Sequence, residues 1–137
     1  MSLNGLIDPM YTAVDHQWMA EALAEAHKAL YLANPNPRVG CVIVKDGQVI
    51  GRGFTRQVGG PHAEIQALAD TKLNGFDPKD SNIYVTLEPC NHTGRTPPCV
   101  DALLTAKPAK VIVAMVDPNP LVAGKGLERL NEGAHLY

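Results

Sequence analysis

No apolar run in this chain approaches the length needed to cross a membrane, and no apolar stretch leads to a small-residue cleavage site. Charge of one sign is not in excess: 12 basic and 14 acidic residues leave a net charge of -2. Aromatic residues are scarce at 5%. These shortages argue against nucleic-acid and membrane-surface partners, which call for a basic face, with interleaved aromatics in the nucleic-acid case. Cysteine is also sparse. Three in 137 residues is an odd number and a poor basis for a disulfide framework, so a reducing cytoplasm is the expected setting. The chain has no dinucleotide-binding glycine fingerprint, no internal repeat and no low-complexity segment. What remains, 45% hydrophobic and 19% charged, suits one globular domain with one core.

The hydrophobic pattern predicts alternating elements. Trp18, Met19, Ala22, Leu23, Ala26, Ala29 and Leu30 recur at helical spacing, so a helix capped by Asp15 is predicted to run to about Leu32. The first fourteen residues are expected to form a flexible N-terminal segment. Pro35 and Pro37 break the helix. "VGCVIV" (Val39 to Val44) is a continuous β-branched run and reads as a buried strand. Asp46-Gly47 is a hairpin signal, and Val49 to Phe54 is the returning strand. After "GGP", a helix is predicted from about His62 to Leu73. "IYVTL" (Ile83 to Leu87) and "KVIVAM" (Lys110 to Met115) read as strands, and a helix from Thr96-Pro97 to about Lys107 lies between them. A last helix is predicted over about Gly126 to Asn131, and a further strand starts at "AHLY". The expected architecture is α/β: three α/β/α layers around a mixed sheet of about five strands.

Within this frame "EPCNHTGRTPPC" stands out, because eight residues separate Cys90 from Cys99. Paired zinc cysteines usually lie two to four apart. His62, Cys90 and Cys99 each stand at or near a predicted helix start. Such a terminus carries partial positive charge and favours the thiolate that binds zinc. Three protein ligands leave one tetrahedral position for water, the pattern of a catalytic zinc. Glu64 follows His62 by two residues and could take the proton from an acidified water. Residues so spaced point to nearly opposite sides of a regular helix, so a shared site requires His62 to lie at its irregular edge. Each residue alone has a plain structural reading. An isolated "HAE" is a common helix start, and Cys41, inside a buried strand, reads as a small hydrophobe. The ordered set H-x-E, strand, P-C, then a second Cys at a helix start matches a deaminase zinc signature. The long cysteine gap departs from the usual P-C-x-x-C.

"PHAEIQAL", "TLEPCNHTGRTPPC", "AMVDPNPLVAGKG" and "NPNPRVGCVIVKDG" together resemble the deaminase domain of the bifunctional riboflavin-biosynthesis deaminase/reductases, from about Asp15 to the chain end. In that family the second cysteine closes a C-x-H-x-G-[KR]-T-P-P-C loop. The resemblance implies a cytidine-deaminase-like fold, Zn2+ held by His62, Cys90 and Cys99, and Glu64 as proton shuttle. It also implies hydrolytic loss of the 2-amino group of a phosphorylated diaminopyrimidinone. Arg95, with its bidentate fork, and His92 and Thr96 beside it are candidate phosphate donors. Asn36 is a candidate for the pyrimidine edge, and Asp117 and Asn119 are candidate substrate contacts that also suit a turn. Thr55 stands where the family often has a histidine. The family's NADPH-using reductase domain is expected to be absent, and a homo-oligomer is expected. Two rivals follow from the same residues. One is a deaminase of nucleosides, bases or tRNA. The other is a structural zinc module in which His92 supplies a fourth ligand.

Overall fold

The computed structural model of the chain describes residues 12–28, 38–55, 62–88, 99–115, 124 and 134–136. Helix α1 spans Ala13–His27. Strands β1 (Gly40–Lys45) and β2 (Gln48–Phe54) form a hairpin. Helix α2 (Ala63–Leu73), strand β3 (Asn82–Val85), helix α3 (Cys99–Ala106) and strand β4 (Lys110–Val113) follow. Strand β5 (Ala134–Leu136) lies where the tail was expected to begin a strand. The five strands make one mixed sheet in the order β2-β1-β3-β4-β5. β1 runs antiparallel to both β2 and β3, whereas β3, β4 and β5 run parallel.

Alternation along the strands divides the core into two layers. Cys41, Ile43, Ile83, Val85, Val111 and Val113 face one side and pack with Ala63 and Ala67 of α2 and Val100 and Leu103 of α3. Val42, Val44, Tyr84 and Ile112 face the other side and pack with Met19 and Ala22 of α1. Adjacent residues of one strand thus serve opposite layers, as a period of two requires. Because both faces are covered, the strands read as continuous apolar runs. This is the three-layer α/β/α arrangement that the pattern predicts.

Local signals explain the element boundaries, with some corrections. Helix α1 starts at Ala13, inside the stretch expected to be flexible, and its N-cap is Thr12 rather than Asp15. Asp15 instead sits at the third helical position. Its carboxylate accepts the Thr12 N–H at 3.0 Å, and its own N–H donates to Thr12 Oγ1 at 3.4 Å. This reciprocal box satisfies two otherwise orphaned N–H groups. Tyr84 Oη, rising from the sheet, also donates to Asp15. Burial pushes the Asp15 carboxyl up, but these hydrogen bonds and the Lys110 charge hold it below its ordinary value. The described helix ends at His27, with Lys28 as C-cap, so the predicted extension to Leu32 lies outside the described residues. Leu23, predicted to face inward, is exposed, while Glu25 is buried beside Ala22 and Ala26. Lys28 and Arg52 both bond the Glu25 carboxylate, at 2.9 and 3.4 Å, which offsets its desolvation. The hairpin turn has both Asp46 (φ 52°) and Gly47 (φ 76°) left-handed, the twist a two-residue turn needs. Strands β3 and β4 stop at Val85 and Val113, two residues short of prediction in each case. The predicted helix over 126–131 lies outside the described residues.

The position of α2 depends on what β2 lacks. A Cβ on Gly53 would lie 2.2 Å from Ala63 O and 2.6 Å from Ala67 N, and one on Gly51 would lie 2.0 Å from Thr71 Oγ1. Helix and strand therefore approach backbone to backbone. Two side chains of α2 then reach over the strand's outer edge. Asp70 accepts the Arg52 N–H at 2.9 Å, and Asn74 Nδ2, at the helix C-cap, donates to Ile50 O at 3.0 Å. Ile50 is the extra residue of a bulge, between the pairs Ile43–Gly51 and Val44–Val49. These bonds satisfy edge groups that would otherwise invite another strand.

Gly53→Ala should destabilise the protein by ~1–3 kcal/mol, the usual cost of overpacking a close contact. The obstructing atoms are helix backbone, so the methyl can be accommodated only by moving α2. Urea unfolding of the two proteins measures the difference, and equal midpoints would mean that α2 does not depend on this close approach.

Candidate active site

The sheet topology brings to one end the strand termini that adjoin the candidate residues in sequence. β1 is antiparallel to β2 and β3, so its first residues lie beside the last residues of both, with Cys41 opposite Gly53 on one side and Val85 on the other. β4 is parallel to β3 and ends at the same level, with Val85 paired to Val113. Every sequence-predicted site residue belongs to a segment joined to this end. Asn36 precedes β1, His62 and Glu64 follow β2, Cys90 to Cys99 follow β3, and Asp117 and Asn119 follow β4. Open α/β sheets bind ligands outside the carboxyl ends of their parallel strands, which here are β3, β4 and β5.

Helix starts bring two of the predicted ligands into contact. His62 is the N-cap of α2, with φ -72° and ψ 163°, an extended rather than helical conformation. That is the irregular edge position the His62–Glu64 spacing requires. His62 Nδ1 lies 3.0 Å from Sγ of Cys99, the first residue of α3 and 37 positions away in sequence. Imidazole nitrogen and thiolate sulfur are the donor types that zinc takes, and this pair presents both at one point. Both residues stand at helix starts, where the macrodipole favours negative charge such as a thiolate. The arrangement fits a zinc ion on two of the three predicted ligands. Cys90, the third, lies outside the described residues, and among those described no third metal donor joins the pair.

Glu64, in the first turn of α2, is buried. Its charge reaches Cys41 of β1. Burial first, and the Glu64 carboxylate second, push the Cys41 thiol well above its ordinary range. Cys41 is therefore a neutral, buried thiol within electrostatic reach of the acid. The small-hydrophobe reading of Cys41 holds, and the fold gives it a neighbour that the sequence does not reveal.

Three polar residues at the same end are structural in ways the linear pattern conceals. Thr55, at the family's histidine position, is buried, and its hydroxyl accepts the Val39 N–H at 3.1 Å while its own N–H donates to Val39 O at 2.9 Å. Thr86 does the same to the next residue: Gly40 N–H donates to Thr86 Oγ1, and Thr86 N–H to Gly40 O, both at 3.1 Å. The entry to β1 is thus gripped from both sides at Val39 and Gly40, three and four residues after Asn36. Glu88, which the sequence reading passed over, is only 6% exposed, and its carboxylate accepts the Gly124 N–H at 2.9 Å. A glutamate directly before a proline and a candidate ligand cysteine is a usable signal, but it does not name the partner. Asn36, His92, Arg95, Thr96, Asp117 and Asn119 all lie outside the described residues. Among those described, no helix is long and apolar enough to cross a membrane.

Comparison with known proteins agrees with this geometry. The family described as the cytidine and deoxycytidylate deaminase zinc-binding region matches residues 12–115. The riboflavin biosynthesis protein RibD of Escherichia coli is 52% identical over 118 residues, covering 86% of this chain and 31% of that protein. A solved structure of Acinetobacter baumannii RibD superposes with a TM-score of 0.82 at 51% identity, over 90% of this chain and 34% of the other. The Thermotoga maritima deaminase/reductase named for diaminohydroxyphosphoribosylaminopyrimidine gives a TM-score of 0.81 at 42% identity, over 90% of this chain and 35% of the other. The chain spans about a third of the length of these relatives. It shares their mixed sheet and helical layers, and it belongs to the cytidine and deoxycytidylate deaminase zinc-binding family.

Proposed function

We propose that this chain is a zinc-dependent deaminase of riboflavin biosynthesis, acting on 2,5-diamino-6-ribosylamino-4(3H)-pyrimidinone 5′-phosphate. The observation that carries the reading is the contact of His62 Nδ1 with Cys99 Sγ beside the buried Glu64. The identity with RibD proteins supports the choice of substrate. In this reading His62, Cys90 and Cys99 hold the zinc, which when bound acidifies water and supplies a nucleophile at neutral pH. Glu64 takes the proton from the water, passes it to a ring nitrogen, and later protonates the departing amine. Water contributes its oxygen to the ring carbon. One of its hydrogens goes to the ring and the other leaves with the amino group as ammonia. Low exposure keeps bulk water from exchanging protons freely with Glu64.

Substrate choice rests on groups around the ring, because attack at an amino-bearing carbon does not distinguish one aminopyrimidine from another. Arg95, His92 and Thr96 form the phosphate-binding set, Asn36 takes the pyrimidine edge, and Asp117 and Asn119 add contacts. The same reading takes the protein as a homo-oligomer in a reducing cytoplasm, with neither nucleic acid nor membrane as partner.

The purified protein should carry about one zinc per chain. Cys99→Ala should lose most of it and Cys41→Ala should keep it, as measured by elemental analysis; equal retention would remove Cys99 from the ligand set. Glu64→Gln should retain the metal and the fold while turnover drops by on the order of a hundredfold or more. Near-normal ammonia release by this variant would exclude Glu64 as the proton carrier. Arg95→Ala should lower kcat/KM tens- to thousands-fold for the phosphorylated substrate and far less for its dephosphorylated form, the scale of a lost ion pair in a partly dry pocket. Cytidine should barely react. Comparable turnover of cytidine and the phosphorylated compound would assign the chain to a different deaminase reaction.

A further inference from the structure

The facing of β2 turns on one residue. Val49 packs with the α1 layer, whereas Ile50 packs with the α2 layer. Strict alternation from there would turn Gly51 and Gly53 toward α1 and Arg52 toward α2. The bulge at Ile50 reverses that assignment. Gly51 and Gly53 lie against α2, and Arg52 reaches the other way, its guanidinium 2.8 Å from Glu21 and 3.4 Å from Glu25 of α1. The bulge is in turn held by α2. Asn74 Nδ2 donates to Ile50 O at 3.0 Å and lies 3.5 Å from Asp70 Oδ2, the same oxygen that accepts the Arg52 N–H at 2.9 Å. Two side chains one helical turn apart therefore clasp the strand on either side of Gly51. Asn74 is the C-cap of α2 and His62 is its N-cap, with 11 helical residues between them. At ~1.5 Å per residue that is a rod of about 16 Å, so a bond that fixes one end along the strand also places the other. Gly51 and Gly53 set how closely the helix lies, but without side chains they supply no polar bond that fixes it lengthwise.

We infer that Asp70 and Asn74 are positioning residues for the candidate zinc and proton-transfer site. By clasping the β2 bulge they set the lengthwise position of α2, and with it the approach of His62 to Cys99 and the placement of Glu64. The inference rests on the zinc-deaminase reading, whose substrate bears only on its kinetic consequence. His62 Nδ1 and Cys99 Sγ lie 3.0 Å apart, and metal sites hold their donor distances to about 0.2 Å. A misplacement of about 1 Å caused by a remote change can lower turnover on the order of a hundredfold, so a slip of a few tenths of an ångström should cost severalfold. Asn74 is exposed and Asp70 half-buried, so removing either side chain leaves the core intact.

The experiment compares Asn74→Ala, Asp70→Ala and Asp70→Asn with the parent protein, all loaded with zinc and held well below their thermal midpoints. It reads zinc release to a chelator, ammonia-release kinetics, hydrogen exchange at the Arg52 amide and the thermal midpoint. Both alanine variants should release zinc about three- to tenfold faster and lose kcat by a similar factor, the scale of one lost hydrogen bond, with KM within about twofold of the parent. Arg52 should exchange about tenfold faster in Asp70→Ala. Asp70→Asn should stay within about twofold of the parent in zinc release and kcat, because its amide oxygen still accepts the Arg52 N–H. Lower midpoints with unchanged zinc release and unchanged kcat in the alanine variants would reduce both residues to stability and overturn the inference. So would a loss confined to KM, which would place the effect on substrate binding rather than on the metal and the acid. If the parent holds zinc but releases no ammonia from the diaminopyrimidinone, the substrate reading fails, and zinc release with Arg52 exchange still decides whether the clasp positions the site.

Discussion

The close approach of α2 to β2 is the constraint on which the site depends. Gly51 and Gly53 present bare backbone to Ala63, Ala67 and Thr71, and the helix settles to a depth that no Cβ on those positions would permit. Asp70 and Asn74 then hook the helix over the strand edge. Depth and axial position are both set by these contacts. The N-terminus of α2 consequently arrives where His62 meets Cys99 and Glu64 is enclosed. A helix riding higher on ordinary side chains would carry the same sequence and present a different end.

A mixed sheet adds the second requirement. Parallel strands β3 and β4 deliver their carboxyl ends together, and the antiparallel β1 brings its beginning to the same level. Segments far apart in the chain therefore converge without long excursions. Their junctions are pinned by polar groups that bond backbone: Thr55 and Thr86 on the entry to β1, and Glu88 on the exits of β3 and β4. Such bonds cost little where they replace bonds to water, and they are expensive to leave unmade in a buried setting. They turn a flexible sheet end into a fixed frame.

The electrostatics of the buried acid follow from this frame. Glu64 and Cys41 are both buried, and the Cys41 thiol is driven upward by burial and then by that carboxylate. The thiol stays neutral, so no second negative charge competes with Glu64 there. Thr55, where the resemblance leads one to expect a histidine, serves the frame instead: its hydroxyl accepts the Val39 N–H.

By itself, the amino-acid sequence determined most of the elements and the layers, and it named the candidate ligands. Continuous β-branched runs report strands covered on both faces and Asp46-Gly47 reports the hairpin, because each is a local requirement written in adjacent residues; H-x-E with two proline-flanked cysteines names candidate metal ligands. The cap of α1 was misread at Asp15, because in a reciprocal box both partners carry capping side chains, and the linear order alone does not rank them. Only the tertiary structure decided which residues meet. The His62–Cys99 contact, the influence of Glu64 on the Cys41 thiol and the Glu88 bond to Gly124 all join distant positions. The physical reason is that these pairings depend on strand order and on the depth of helix packing. Both are set by many small contacts acting together, and no single motif in the chain encodes them.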